Sequence, residues 1–355
     1  MVIGWLVVYE DLYINMKILF FEGFSSSKLV KLMLNCLSKQ LIRSFSTKKL
    51  ANVSLKTAIP CGGLAGTLGA LCGVGGGLVI IPVLKQFSKL TVHQITATSL
   101  FSISIASSVG AASYISQGKA RVPEAALIAL SAMTTAGLGA KAATKMSGNS
   151  LTKLLALTMM LSVPAVLLKA PSIKSSAINN SNNTDNTIDT HTSDDRKIEQ
   201  LEDSIIINNI PKENQIKNVS YYLGKGAPTS RAQIPEWLEK NWGYSVLGLF
   251  VGFSSSLLGV GGGIVMTTYM SVMTDLTQHE AVATSLVAMV PTGMSATFWH
   301  MRAGNVHTKA ALMIGGACAV SMYGAATYIA PHVSEATMRK IFAGVLSVAS
   351  LRMIF

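Results

Sequence analysis

The chain has 355 residues, of which 50% are hydrophobic and 13% are charged, and it carries a formal net charge of +12. Soluble domains carry about 25% charged residues, so this composition excludes an ordinary soluble domain and predicts an integral, multi-pass membrane protein. The positive charge does not predict nucleic-acid binding. The basic residues of the hydrophobic body lie mostly in short loops, where they are typical of interfacial anchors and topology signals.

Residues 1–57 form a basic extension that is rich in Ser and Leu. Its segment "KLVKLMLNCLSKQLIRSF" is compatible with a basic amphipathic helix, which predicts a mitochondrial transit peptide. The alternative is a cytosolic basic tail that lies on anionic lipid. The first interpretation places the protein in the mitochondrial inner membrane, and the second in the plasma membrane or another cellular membrane.

The hydrophobic body consists of two internal repeats, since a shift of 186 residues aligns the first half of the body with the second. Gly73–Gly77 falls on Gly259–Gly263, and Ala97–Leu100 falls on Ala283–Leu286. The repeats occupy 58–170 and 244–355, and each contains four apolar segments of about membrane-spanning length. We therefore predict an all-α polytopic membrane protein with about eight transmembrane helices in two homologous four-segment repeats. In each repeat the first helix is broken by glycines.

The relative orientation of the two repeats stays open at this point. Four spans per repeat would make the repeats parallel, whereas a re-entrant hairpin at the glycine segment would make them inverted. Loop charges do not decide between these arrangements, because basic residues follow three successive segments and so lie on both sides of the membrane. Residues 171–243 are predicted to be a polar, largely disordered linker, with "IPEWLEKNWGY" as a short interfacial helix.

The first segment of each repeat contains a run of glycines, "CGVGGGLVIIP" at Cys72–Pro82 and "LGVGGGIVMTT" at Leu258–Thr268. A glycine break at membrane depth frees backbone amides, and the helix that resumes after it presents the positive end of its dipole. We predict that the two breaks face each other and bind one anion, while the alternative is close helix packing. The candidate binding residues are Gly75, Gly76, Gly77, Gly261, Gly262 and Gly263.

An "ATSL" motif follows each glycine run at the same distance and adds hydroxyl donors for an oxyanion. These donors are Thr98, Ser99, Thr284 and Ser285, whose alternative role is hydrogen bonding to their own or a neighbouring helix. His93 and His279 begin the second segment of each repeat and are candidates for proton coupling or for a structural role.

The sequence contains no set of residues that indicates catalysis, a metal site or a cofactor. It has no HExxH motif and no carboxylate cluster, and its four cysteines lack CxxC spacing, so we interpret them as small buried hydrophobes. We expect neither a metal nor a cofactor, and we do not expect an enzyme, because no pairing of nucleophile and base is evident. The expected partners are a small anionic substrate and the lipid bilayer, and a homo-oligomer stays open.

The duplicated order of a glycine run, a short loop, a His and Thr-Ser-Leu resembles the sulfite exporter TauE/SafE family. The resemblance covers about 58–169 and 244–355, and it implies export or uptake of sulfite, sulfoacetate and related sulfur-containing or organic anions. We therefore expect a transporter of small oxyanions, such as sulfite or a sulfonate, that works by alternating access at the two glycine breaks. Three departures are the basic extension, the long linker, and Ala97 and Ala283 where the family often has Gly. The alternatives are an anion channel, or a non-transporting scaffold or sensor that uses the linker.

Overall fold

The computed structural model describes residues 55–168 and 234–354. The predicted transit peptide and most of the predicted linker therefore lie outside the described residues. The eleven α-helices of the described part are α1 Leu55–Cys72, α2 Gly77–Phe87, α3 Val92–Ser116, α4 Val122–Lys145, α5 Gly148–Leu168, α6 Ile234–Lys240, α7 Trp242–Leu258, α8 Gly263–Met273, α9 Gln278–Arg302, α10 Thr308–Gly324 and α11 Glu335–Ile354. The helix α10 continues through a π turn, Ala325–Ile329, into a 3₁₀ turn, Ala330–His332.

The prediction of an all-helical protein agrees with the described residues, which contain no strand. Four of the described helices are long and apolar enough to cross a membrane by themselves: Val92–Ser116, Val122–Lys145, Gln278–Arg302 and Thr308–His332. Large apolar side chains cover the outer surface, among them Val320 (76% exposed) and Leu161 (65% exposed). Such a surface suits lipid rather than water.

Local sequence determines where the two central helices, α3 and α9, begin and end. Both start with a capping box, Thr91 with Gln94 in α3 and Thr277 with Glu280 in α9. Each box satisfies backbone N–H groups that an exposed helix start would leave unpaired. Soon after the end of each helix, Gly118 and Gly304 adopt positive φ angles of 65° and 74°, which turn the chain into the next helix.

The two halves of the described structure have inverted topology. The side chain of Leu100, near the start of α3, packs with Ala296, near the end of α9. At the opposite end of the pair, Gly110 of α3 lies beside Leu286 of α9. Equivalent helices of the two halves thus run antiparallel, which decides the orientation that the sequence left open. We call the end of the bundle where α3 begins end A, and the end where α3 finishes end B.

The first segment of each half is a helical hairpin. Along α1, Gly62 faces Ile314, Gly66 faces Cys318 and Gly69 faces Met322, so α1 runs parallel to α10 from end A towards end B. After the glycines, α2 returns to end A, where a four-residue loop leads into α3. The equivalent contacts of α7 with α4 place the second hairpin, α7–α8, at end B.

The structure does not confirm the expected eight transmembrane helices, because the first segment of each half forms a hairpin. Each glycine-broken segment starts and ends at the same end of the bundle, because left-handed glycines at its centre reverse the chain. The two hairpins enter from opposite ends. Three further helices follow each hairpin in the described chain: α3, α4 and α5 in the first half, and α9, α10 and α11 in the second.

Most of the packing is between the halves rather than within them. The first helix of each half packs on the second helix after the hairpin of the other half, α1 on α10 and α7 on α4. In addition, α3 packs on α9 and α5 packs on α11. Glycine allows the close approach: a Cβ at Gly66 would collide with the Cys318 carbonyl, and one at Gly252 with the Ala132 carbonyl. Small residues at such contacts are the usual means by which membrane helices pack closely.

Candidate functional site

The tip of each hairpin is a run of glycines in the left-handed backbone region. In the first tip, Gly76 is the N-cap of α2 with φ 86°, and in the second, Gly262 is the N-cap of α8 with φ 75°. Residues with a Cβ rarely adopt this region, which explains why glycines recur at both tips. The other tip glycines with positive φ are Gly73, Gly75, Gly259 and Gly261.

The two tips contact each other at the centre of the bundle. A Cβ built on Gly77 would lie 3.1 Å from the Cα of Val260. A Cβ on the equivalent Gly263 would lie 2.7 Å from the Cα of Val74 and 2.6 Å from the carbonyl oxygen of Gly73. The segments 73–77 and 259–263 therefore cross, with the N-termini of α2 and α8 beside the crossing. We call this contact the glycine crossing.

Two apolar side chains fill the space beside the glycine crossing. Both Ile103 of α3 and Met289 of α9 are fully buried, and they occupy equivalent positions in the two halves. A Cβ at Gly75 would lie 2.6 Å from Ile103 Cγ2 and 2.7 Å from Met289 Cε, and one at Gly261 would lie 3.0 Å and 2.6 Å from the same atoms. The same pair of side chains thus lies against both runs of glycine.

The candidate serines differ between the halves. The hydroxyl of Ser285 donates to the Gly73 carbonyl at 2.9 Å, and Thr267 donates to the same carbonyl at 3.3 Å. The two hydroxyl oxygens are 3.1 Å apart. In the other half Ile81 occupies the position of Thr267, and the buried hydroxyl of Ser99 has no hydrogen-bond partner among the described residues.

The candidate threonines connect the halves. The hydroxyl oxygen of Thr98 accepts the backbone N–H of His307 at 3.2 Å, and that of Thr284 accepts the N–H of Arg121 at 3.0 Å. Both accepting hydroxyls are fully buried. The structure therefore gives each threonine a contact at the start of a helix of the opposite half, α10 for Thr98 and α4 for Thr284. A role of either threonine in binding substrate stays a prediction.

The candidate histidines lie in the first turns of α3 and α9. The Nε2 atom of His279 is 3.1 Å from the carbonyl oxygen of Val333, which precedes α11. The Nδ1 atoms of His93 and His279 are buried and lack a hydrogen-bond partner in the described part of the chain. The contact with Val333 connects the start of α9 to the loop before α11, while proton coupling by either histidine stays a prediction.

A charged cluster lies at end B where α4 and α9 begin. One guanidinium nitrogen of Arg121 is 3.5 Å from Glu280 Oε1, and the other is 3.9 Å from Glu124 Oε1. Glu124 is buried, although it belongs to the first turn of α4. In the preceding loop, burial lowers the pKa of the Lys119 ammonium. The cluster joins helices of both halves by charge.

Two polar side chains that hold the hairpin tips were not predicted from the sequence. The hydroxyl of Tyr114 donates to the Ala70 carbonyl at 2.9 Å, and the Nε2 atom of the equivalent His300 lies 2.8 Å from the Ser256 carbonyl oxygen. Each contact holds the last turns of a tip-forming helix, α1 or α7. Aligning the repeats for polar atoms rather than for identical residues would have paired Tyr114 with His300.

Comparisons with known proteins agree with the membrane architecture. The sequence pattern of the family "Sulfite exporter TauE/SafE" matches the chain over residues 29–166 and 58–353. "Probable membrane transporter protein YunE" of Bacillus subtilis (strain 168) is 24% identical over 282 residues, which cover 77% of this chain and 88% of that protein.

A second relative matches over a shorter stretch. "Probable membrane transporter protein YdhB" of Bacillus subtilis (strain 168) is 35% identical over 81 residues, or 22% of this chain and 31% of that protein. No solved structure matches the chain. The family match extends over most of the chain and includes both hairpins and the long helices around them. This chain therefore belongs to the sulfite exporter TauE/SafE family of membrane transporters.

Proposed function

We propose that the protein transports small oxyanions, such as sulfite, a sulfonate or another sulfur-containing or organic anion, by alternating access at the glycine crossing. The carrying observation is the contact of the two tips, Gly77 with Val260 and Gly263 with Val74, which brings the N-termini of α2 and α8 together. Two helix N-termini at one point direct positive dipole ends and backbone amides towards the same small volume. The name of the family supports a sulfur oxyanion as the first substrate to test.

Close packing at the centre favours alternating access over a channel. The side chains of Ile103 and Met289 lie against both glycine runs, so an anion reaches the crossing only after these side chains move. Methionine has three rotatable bonds and rearranges readily, whereas isoleucine is branched at Cβ and stiff. We therefore assign the larger movement to Met289. A channel with the same site would instead give single-channel currents and no countertransport.

The first experiment measures anion flux into liposomes that contain the full chain. Sulfite, sulfate, thiosulfate and methanesulfonate are offered in turn, with countertransport of a preloaded anion as a second measurement. We expect saturable flux of at least one of them that is accelerated by the preloaded anion. The absence of flux for all four anions would contradict the proposed function.

A pair of glycine variants connects the flux to the crossing. The Gly263→Ala substitution places a methyl group against the Gly73 carbonyl and Val74, so it pushes the tips apart and is expected to lower flux at least tenfold. The matched control is Gly316→Ala in α10, where a Cβ meets nothing within 4 Å. Equal flux in the two variants at equal reconstituted amounts would refute the crossing as the transport site.

Two further assignments are tested separately. Deleting residues 171–233 while flux is measured distinguishes transport from the alternative of a scaffold or sensor that uses the linker, and we expect flux to persist. The mitochondrial location rests on the basic composition of residues 1–57 alone. Sequencing the N-terminus of the mature protein from isolated mitochondria tests it, and an intact N-terminus would contradict a cleaved transit peptide.

A further inference from the structure

Two pairs of polar side chains connect α8 with α9 between the glycine crossing and end B. The first pair is Thr267 with Ser285, which share the Gly73 carbonyl. The second is Ser271 with Gln278, in which the hydroxyl donates to Gln278 Oε1 at 2.8 Å. Ser271 is one turn beyond Thr267 on α8, and four residues of helix rise about 6 Å. We call these four residues the polar ladder.

The polar ladder leaves one buried donor without a partner. Gln278 is 0% exposed, and its Nε2 atom has no hydrogen-bond partner among the residues that the structure describes. An amide nitrogen carries two N–H donors, and leaving such a buried group unpaired is costly. Gln278 is also the first residue of α9, so the positive end of that helix dipole lies at the same place.

The other half of the protein shows that the hairpin does not need these polar residues. The positions equivalent to Thr267, Ser271 and Gln278 in the first half are Ile81, Lys85 and Val92. The hairpin α1–α2 and helix α3 form there without a ladder, and Lys85 is exposed. The buried amide at position 278 is therefore not required by the fold that the two halves share.

The charges near Gln278 are compatible with an anionic ligand. The closest carboxylate in sequence is Glu280, which accepts the N–H of Thr277 in the capping box and lies 3.5 Å from the Arg121 guanidinium. The negative charge of Glu280 is thus partly neutralised. An amide donor at a helix start, with an arginine near the neighbouring carboxylate, suits a small oxyanion better than a cation.

We infer that Gln278 is a substrate-binding residue, whose amide N–H groups bind the transported oxyanion on its path between the glycine crossing and end B. The inference rests on the proposed function. It adds a polar path from the glycine crossing to end B, whereas the first half has the apolar residues Ile81 and Val92 at the positions of Thr267 and Gln278. Ser271 positions the amide by donating to its oxygen, which leaves the nitrogen for the ligand.

The test measures uptake kinetics with the full chain in liposomes, with sulfite and methanesulfonate as probes. The Gln278→Glu substitution keeps the size of the side chain but replaces the N–H donors with a carboxylate. We expect it to raise KM about tenfold or more, as for loss of a hydrogen bond to a charged partner. The Gln278→Leu substitution removes the donors without adding charge, and we expect it to raise KM by a smaller factor with little change in the maximal rate.

The matched control is Gln94→Glu, at the first turn of α3. Glu280 already occupies the equivalent position of α9 in the same capping role, so the control adds a carboxylate that the fold accepts. We expect its KM to match that of the wild type. An equal rise of KM in Gln94→Glu and Gln278→Glu would indicate a general charge effect and overturn the inference.

The remaining outcomes separate the two proposals. An unchanged KM in both Gln278 variants, with flux still lost in Gly263→Ala, would overturn the role of Gln278 and leave the proposed function in place. A loss of thermal stability without a change in KM would assign Gln278 a structural role and also overturn the inference. If the wild type transports neither probe, and none of the wider anion panel, both proposals fail together.

Discussion

Replacing Gly261 with alanine perturbs the glycine crossing in a way that the structure allows us to estimate. The backbone of Gly261 has φ 75°, and a left-handed residue with a Cβ costs about 1–2 kcal/mol. The new methyl group would also lie 2.6 Å from Met289 Cε and 3.0 Å from Ile103 Cγ2. Overpacking of a filled core costs about 1–3 kcal/mol. We therefore expect Gly261→Ala to cost about 2–5 kcal/mol in total.

A second glycine in the same half separates the two contributions. Gly304 follows α9, has φ 74°, and has open space where its Cβ would be. The Gly304→Ala substitution therefore bears the backbone strain alone, about 1–2 kcal/mol. The difference between the two variants, about 1–3 kcal/mol, measures how tightly Met289 and Ile103 fill the crossing.

The assay is unfolding of the purified protein in detergent, combined with anion flux in liposomes. Gly304→Ala is expected to keep its flux, and Gly261→Ala to lose stability and flux together. A double substitution, Gly261→Ala with Met289→Ala, removes the Met289 Cε contact, so its cost should be smaller than the sum of the single costs. Tight packing at the crossing would be refuted if Gly261→Ala and Gly304→Ala had equal free energies of unfolding and if the costs of Gly261→Ala and Met289→Ala simply added in the double variant.

Two further predictions test contacts between the halves. Gly66→Ala should destabilise the protein by about 1–3 kcal/mol because the methyl group collides with the α10 backbone. Gly63→Ala on the same helix has open space around its Cβ and should be neutral or stabilising by about 1 kcal/mol. Equal unfolding midpoints for the two variants would contradict the close approach of α1 and α10. Thr284→Val should lower the free energy of unfolding by about 1–3 kcal/mol, since the backbone N–H of Arg121 loses its acceptor, whereas Thr284→Ser should retain most of the stability. The same denaturation series checks both variants. A Val variant as stable as the Ser variant would show that the hydrogen bond contributes little.

The sequence alone predicted a large part of the architecture. The low charge content and the long apolar segments predicted an all-helical membrane protein, because lipid requires each spanning segment to satisfy its own backbone hydrogen bonds. The shift of 186 residues predicted two related halves, and the clustered glycines predicted where the first segment of each half breaks. Each of these features is local or repeated, so it can be read along the chain without knowing which helices touch.

Contacts between the halves could not be read in this way. The opposed directions of α3 and α9, the contacts of Gly77 with Val260 and of Gly263 with Val74, and the packing of Met289 against both tips join residues far apart in sequence. Such contacts depend on how whole helices dock, which hydrophobic pattern and glycine spacing do not specify.

The same limit applies to the chemical differences between the repeats. The motif "ATSL" suggested equal roles for Ser99 and Ser285. The structure places Thr267 beside Ser285, where both hydroxyls donate to the Gly73 carbonyl, whereas the first half has Ile81 at the position of Thr267. The sequence determined that this protein has two glycine-broken halves within a membrane. The tertiary structure decided that the halves are inverted and that their tips cross, because chain reversal at left-handed glycines and docking of one half on the other are properties of the folded bundle.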